Sequence, residues 1–231
     1  KIGIASDGEY AFNQQINAII PNKRVQPKYL AYNLLFNRPR LVAIANAPVV
    51  PIINKSQFGE FTVNIAWVNH SVPVMGVIYL PVKQELYFAE ESIGAYKLSN
   101  VTSRGNASLD ELIASATRLP SVTERGKFVI VASRSHLTPE TEAYIEEMKR
   151  QHSEVELISS GSSIKICLVA EGKADVYPRF APTMEWDTAA GHAIARAAGL
   201  EVYQAGKEEP LCYNKENLLN PWFVVEPKQM K

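Results

Sequence analysis

From Gly59 onward, hydrophobic and polar positions follow one another in short runs that predict strands separated by turn residues. The first runs predict an antiparallel meander at 61–68, 74–80, 85–90 and 94–98. Further strands are predicted at 127–132, 154–159, 174–178, 200–203 and 222–225.

Helices are predicted between these strands. Ser108 has capping-box spacing to Glu111, so a short helix should follow it, and another should begin after Thr138. The segments 162–171 and 188–198 have a helical pattern, and each is followed by a glycine, which commonly ends a helix. Helices that alternate with strands in this way indicate an α/β fold.

Length and composition favour a globular protein. A chain of 231 residues with 46% hydrophobic content can bury a substantial core. No run reaches the roughly 20 apolar residues of a membrane-spanning helix, and the start lacks the apolar centre of a signal peptide, so a cytoplasmic location is expected. Cys167 and Cys212 have no metal-ligand spacing, and both are expected to be buried, inert thiols.

Residues 1–58 differ in charge from the rest of the chain. They hold seven Lys/Arg against two Asp/Glu, a balance of +5, which leaves seventeen against twenty-two, or −5, for residues 59–231. A basic segment is typical of a surface that binds nucleic acid. It is also typical of an ordinary solvated surface, which is the commoner case.

Asp187 is the strongest candidate for a metal-binding carboxylate. It lies where a strand-like or loop segment becomes a helix, so it can hold a hard cation such as Mg²⁺ beside the positive helix end. An aspartate before an alanine-rich helix is also typical of a simple N-cap, and spacing alone favours the cap.

Two other segments indicate a binding site for an anion. Gly161 permits close approach to the backbone at the start of the helix that carries Lys165, although a serine cap beside a solvated lysine explains this pattern equally well. Ser133 and His136 follow a buried strand, where ligands often bind in α/β sheets, but His136 is equally compatible with a surface loop. His192 is expected to be packed or solvent-facing rather than a ligand.

Five motifs then occur in a family-specific order: Gly59-Glu60-Phe61-Thr62-Val63-Asn64-Ile65-Ala66, Ser133-Arg134-Ser135-His136, Gly161-Ser162-Ser163-Ile164-Lys165, Tyr177-Pro178-Arg179-Phe180 and Trp186-Asp187-Thr188-Ala189-Ala190-Gly191-His192. On these motifs, about three quarters of the chain resembles the bacterial CysQ-type 3'(2'),5'-bisphosphate nucleotidases of the inositol monophosphatase superfamily.

The resemblance implies a layered α/β sandwich and a Mg²⁺-dependent phosphatase that removes the 3'-phosphate of adenosine 3',5'-bisphosphate, a by-product of sulfate assimilation. In such enzymes clustered metal ions activate a water and neutralise charge on the phosphoryl oxygens. By position, Asp187 matches a metal ligand at the substrate site. Ser133, His136, Gly161 and Lys165 match residues that hold the nucleotide.

The segment before Gly59 departs from that family. The family supplies most metal-binding carboxylates from a Glu-Glu segment and a D-P-x-D-G-T motif shortly before Gly-Glu-Phe-Thr-Val-Asn, and neither is present here. Asp7-Gly8-Glu9 is only a partial match and lies much too far upstream. The resemblance therefore implies an incomplete metal site, an incomplete first sheet, and weak or absent activity.

Residues 1–58, on the segments 11–21 and 49–58, resemble instead the end of a target-recognition domain from type I restriction-modification specificity subunits. That domain reads DNA, although a fragment is not expected to retain sequence readout. The sequence is therefore interpreted as a chimaera joined near Phe58/Gly59. The alternatives to a weakly active phosphatase are a non-catalytic nucleotide-binding module and a protein that contacts DNA through residues 1–58.

Overall fold

The structure is a computed structural model that describes residues 62–102, 107–132 and 138–229. No helix in these ranges is long and apolar enough to cross a membrane. The strands are β1 (Val63–Asn69), β2 (Val72–Leu80), β3 (Glu85–Glu90), β4 (Gly94–Leu98), β5 (Thr117–Arg118), β6 (Phe128–Ala132), β7 (Val155–Ser159), β8 (Tyr177–Arg179), β9 (Leu200–Gln204) and β10 (Phe223–Pro227). The helices are α1 (Leu109–Ala114), α2 (Pro139–Gln151), α3 (Ile164–Ala170) and α4 (Glu185–Ala197).

The first sheet is the antiparallel meander that the sequence predicts. Its strands are hydrogen-bonded in the order β1-β2-β3-β4-β5. The bounds of β3 and β4 agree with the predicted ranges, because the short hydrophobic run in each strand is set off by turns at both ends. The strands expected to be missing from this sheet would precede Thr62, outside the described residues.

The second half of the chain forms a second layer of strands from a two-stranded and a three-stranded sheet. β6 and β7 are parallel and are connected through α2, since parallel neighbours need a crossover. β8, β10 and β9 are antiparallel in that spatial order. A parallel bridge between Ile130 and Val176 joins the two groups of strands.

Helices α3 and α4 lie between the two sheets. Ile166 of α3 and Ala189 of α4 belong to the core of the second sheet, whereas Ile164 and Ala190 belong to the core of the first. The other side of the first sheet is covered by α1, and the other side of the second by α2. The resulting order of helix, sheet, helix pair, sheet and helix confirms the predicted layered α/β sandwich.

Small residues allow α4 to approach both of its neighbours closely. A Cβ added to Gly76 of β2 would lie 2.2 Å from the main-chain oxygen of Ala190. A Cβ added to Gly191 would lie 2.8 Å from the Cδ1 of Ile166 in α3. This close packing fixes the middle of α4 against β2 and α3.

Local capping signals define several helix ends. The Ser108 side chain accepts from Glu111 N, and the Glu111 carboxylate accepts from Ser108 N, which confirms the predicted capping box. Thr138 caps α2 through the N–H of Thr141 at 3.3 Å. The glycine after α3, Gly172, has φ +78°, a left-handed conformation that ends the helix.

Two sequence predictions are corrected by the fold. α4 begins at Glu185 and not at residue 188, because Met184 is the extended residue before the helix. Cys212 is exposed rather than buried, since it lies in an irregular segment, whereas Cys167 is buried in α3 as predicted. The division at Phe58/Gly59 and the resemblance of residues 1–58 lie outside the described residues and stay predictions.

Candidate functional site

Three of the site residues predicted from the sequence lie in the described ranges. Gly161 is in the loop between β7 and α3, Lys165 is in α3, and Asp187 is in the first turn of α4. Ser133 and His136 fall outside the described residues, and their part in the site stays a prediction.

Asp187 occupies the third position of α4 rather than its N-cap. The N-cap is Met184, with φ −105° and ψ 162°, and its N–H donates to Asp187 Oδ2 at 3.0 Å. The partly exposed carboxylate thus satisfies one of the N–H groups left without a helical partner, at the positive end of the helix. Ser163 Oγ donates to the main-chain oxygen of Asp187 at 3.4 Å, which brings the beginnings of α3 and α4 together.

The loop before α3 has an unfavourable backbone conformation. Ser162 has φ +48°, in the left-handed region, which costs a non-glycine residue on the order of 1 kcal/mol. Its Oγ lies 2.7 Å from the Oγ1 of Thr62, the residue just before β1. This hydroxyl pair links the start of the first sheet to the loop and stabilises the unusual backbone.

Lys165 lies beneath this loop and is not the solvated lysine that the sequence allowed. Its side chain is 4% exposed. The ammonium donates to the carbonyl oxygens of Ser160 at 3.2 Å and Ser162 at 3.0 Å, and it lies 5.3 Å from the centroid of the Tyr177 ring. A buried cation that holds two carbonyls fixes the shape of the loop.

The second carboxylate in the first turn of α4, that of Glu185, is held by hydrogen bonds and an ion pair. Glu185 accepts from the backbone N–H groups of Asn214 at 2.7 Å and Lys215 at 3.1 Å, and it pairs with the Lys215 ammonium at 2.5 Å. Burial alone would raise the pKa of Glu185, but the Lys215 ammonium and the two N–H groups hold it below its usual range. Glu185 therefore stays ionised within its own network.

The described residues do not fit a magnesium centre by themselves. No group of three or more His, Cys, Asp or Glu side chains within these ranges could hold a metal ion. Asp187 is the acid at the junction of α3 and α4, and Glu185 is held by Lys215. Mg²⁺ takes six oxygen ligands in octahedral geometry, so water and substrate oxygens would have to supply most of them.

Two polar residues of this junction were missed by the sequence reasoning. Thr62 contacts Ser162, and Asn64 Nδ2 donates to Thr62 Oγ1 at 3.4 Å. Within the described part of the chain, Asn64 Oδ1 is buried without a hydrogen-bond partner. Both residues belong to the motif that begins at Gly59. They are polar and two positions apart in the predicted strand 61–68, and this spacing places two side chains on the same face of a strand.

Comparisons with known proteins agree with this architecture. A family model described as the inositol monophosphatase family matches residues 56–228. The 3'(2'),5'-bisphosphate nucleotidases CysQ of Shigella flexneri and Escherichia coli K12 are each 42% identical over 168 residues, which is 72% of this chain and 60% of theirs. A crystal structure of CysQ from Bacteroides thetaiotaomicron is 68% identical with a TM-score of 0.73, over 76% of this chain and 65% of that chain. The chain thus spans about 60% of the length of the curated relatives it matches.

Proposed function

Because the chain belongs to the inositol monophosphatase family, we propose that residues 59–231 act as the nucleotide-binding part of a 3'(2'),5'-bisphosphate nucleotidase. The ligands are adenosine 3',5'-bisphosphate and its hydrolysis product AMP. Support comes from the relatives of Shigella flexneri and Escherichia coli, which are named as such nucleotidases and share 42% of their residues with this chain over the matched region.

The observation that carries this proposal is the meeting of three chain segments at one point. Thr62 before β1, Ser162 and Ser163 before α3, and Asp187 in α4 are joined by the 2.7 Å and 3.4 Å contacts of their hydroxyl groups. Hydroxyl groups donate to phosphate oxygens, and the buried Lys165 adds positive charge below them. The N-terminus of the 13-residue α4 favours an anion as well.

Asp187 should make nucleotide binding at this site sensitive to cations. Its carboxylate repels a phosphate placed beside it, because both groups are negatively charged. A cation near the two anions lowers this repulsion. A bound Mg²⁺ would offset this repulsion with its positive charge, and Asp187 would supply one oxygen to hold it. AMP affinity is therefore expected to rise when Mg²⁺ is added.

Hydrolysis by this chain is proposed to be weak or absent. In-line displacement at a metal-dependent phosphatase site relies on clustered metal ions, and a lone carboxylate binds Mg²⁺ only weakly. The residues around Asp187 in the described ranges supply no such cluster. Nucleotide binding without efficient turnover is the function that these residues support.

Calorimetry with AMP on the full chain, with and without Mg²⁺, tests the binding. The parent is expected to bind at millimolar AMP and more tightly with Mg²⁺, and Asp187→Asn, which keeps an oxygen for the Met184 N–H, should lose the Mg²⁺ effect. Lys165→Met should weaken binding at least tenfold, whereas Lys127→Met, which changes a surface lysine 3.9 Å from Glu154, should not.

Phosphate release from adenosine 3',5'-bisphosphate tests the catalytic half of the proposal. Little or no Mg²⁺-dependent release is expected. Turnover comparable with that of an intact CysQ enzyme would refute the incomplete-site interpretation, and absence of binding heat at millimolar AMP would refute nucleotide recognition itself.

A further inference from the structure

A chain of buried polar side chains runs behind the first turn of α4. It begins at Glu201 of β9, whose Oε1 contacts Nε2 of His192 in α4. His192 Nδ1 lies 2.9 Å from the hydroxyl of Tyr213, and that hydroxyl lies 3.2 Å from Oγ1 of Thr188. His192, Tyr213 and Thr188 are each 1% exposed, so water does not compete for these bonds.

The Glu201 end of this chain determines which ring nitrogen of His192 carries a hydrogen. Burial alone would raise the pKa of Glu201, but His192, the Val202 N–H and Arg196 hold it below its usual range, so it is ionised and only accepts. The contact with His192 therefore places a hydrogen on Nε2. The single hydrogen of the Tyr213 hydroxyl is donated to Thr188 Oγ1, and the Thr188 hydroxyl in turn donates to the main-chain oxygen of Glu185 at 3.2 Å.

At its other end this row of side chains is hydrogen-bonded to residues on either side of Asp187. Thr188 directly follows Asp187, and its hydroxyl also accepts from Asn220 Nδ2 at 3.0 Å. The same Asn220 Nδ2 donates to Thr183 Oγ1 at 3.2 Å, and the Asn220 backbone N–H donates to Thr183 O at 2.9 Å. Asn220 and Tyr213 thus hold both ends of the segment that carries Asp187.

We propose that Tyr213, oriented by His192 and Glu201, is a positioning residue that fixes the first turn of α4 and so the orientation of the Asp187 carboxylate at the proposed nucleotide site. The inference rests on the proposed function for its ligand. Its structural part, the fixing of residues 183–188, is measurable without any ligand.

Tyr87 provides a matched control for Tyr213. Both tyrosines are 1% exposed, and each hydroxyl makes a buried hydrogen bond, that of Tyr87 to Glu171 Oε1 at 2.6 Å. Tyr87 lies in β3 of the first sheet, and its hydroxyl bonds to Glu171, which follows α3 and is not part of residues 183–188. Replacement of either residue by phenylalanine removes one hydroxyl and keeps the ring, so both variants should lose stability to a similar extent.

The experiment measures AMP affinity with Mg²⁺ and amide hydrogen exchange in the full-length parent, Tyr213→Phe and Tyr87→Phe. We expect Tyr213→Phe to weaken AMP binding at least fivefold and to speed exchange of the amides at 183–188, and Tyr87→Phe to do neither. Thr188→Val should behave like Tyr213→Phe, and Thr188→Ser, which keeps the hydroxyl, should restore parental values.

The other possible results would each overturn one part of the proposal. Unchanged exchange at 183–188 in Tyr213→Phe, or an equal effect of Tyr87→Phe, overturns the positioning role. Faster exchange together with unchanged AMP affinity overturns the link between that turn and the ligand. If Tyr213→Phe exchanges faster but the parent protein binds no AMP, the positioning of the turn is supported and the proposed function is overturned.

Discussion

Replacement of Gly76 by alanine tests whether β2 and α4 pack as closely as the structure describes. The new Cβ would lie 2.2 Å from the main-chain oxygen of Ala190, 3.0 Å from its carbon and 3.0 Å from the Cβ of Ala193. A main-chain oxygen inside a helix cannot rotate away as a side chain can. Relief of the clash therefore requires α4 to move away from the first sheet, and α4 is itself held by α3 and the second sheet.

The size of the effect follows from two opposing contributions. Overpacking of a core costs about 1–3 kcal/mol, and a rigid backbone obstacle places Gly76→Ala near the upper limit. Alanine in a strand interior regains about 0.5–1 kcal/mol relative to glycine. The net loss should be about 2 kcal/mol, or a decrease in Tm of about 4–8 °C for a domain of this size.

Urea unfolding of the full chain measures this change, and Gly126→Ala is its control. Nothing lies within 4 Å of a Cβ built on Gly126, so that variant should stay within about 0.5 kcal/mol of the parent. If Gly76→Ala unfolded at the same urea concentration as Gly126→Ala, the close contact between β2 and α4 would be wrong.

Two further predictions concern buried groups of the layered core. Burial alone would raise the pKa of Glu171, but the Lys173 ammonium and neighbouring donors hold it below its usual range. The stability it contributes should therefore be present above about pH 4 and be lost as the pH falls further, and urea unfolding of Glu171→Gln should lack this dependence. Cys212 is exposed while burial raises the pKa of Cys167, so a thiol reagent should modify Cys212 in the folded chain and Cys167 only on unfolding. Equal reaction rates of the two thiols would contradict the burial of Cys167.

Much of the fold followed from the sequence because its signals are local. Short hydrophobic runs between turns predicted the bounds of β3 and β4, and Ser108 and Glu111 predicted the start of α1. Each signal depends on residues a few positions apart, whose conformations are restricted by steric contact and short-range hydrogen bonds. The motif order from Gly59 onward also indicated the family that the comparisons confirm.

The tertiary structure alone decided what the site residues do. Lys165 could be a solvated lysine or a buried one by its local sequence, and only the packing of α3 between two sheets buries it under the loop. The chain from Glu201 to Thr188 joins strand, helix and loop residues through side-chain contacts, and no residue-type pattern marks Tyr213 as part of it. Contacts between such segments depend on how whole layers stack, because the hydrophobic effect that drives stacking is non-directional and leaves no pairwise signal in the sequence.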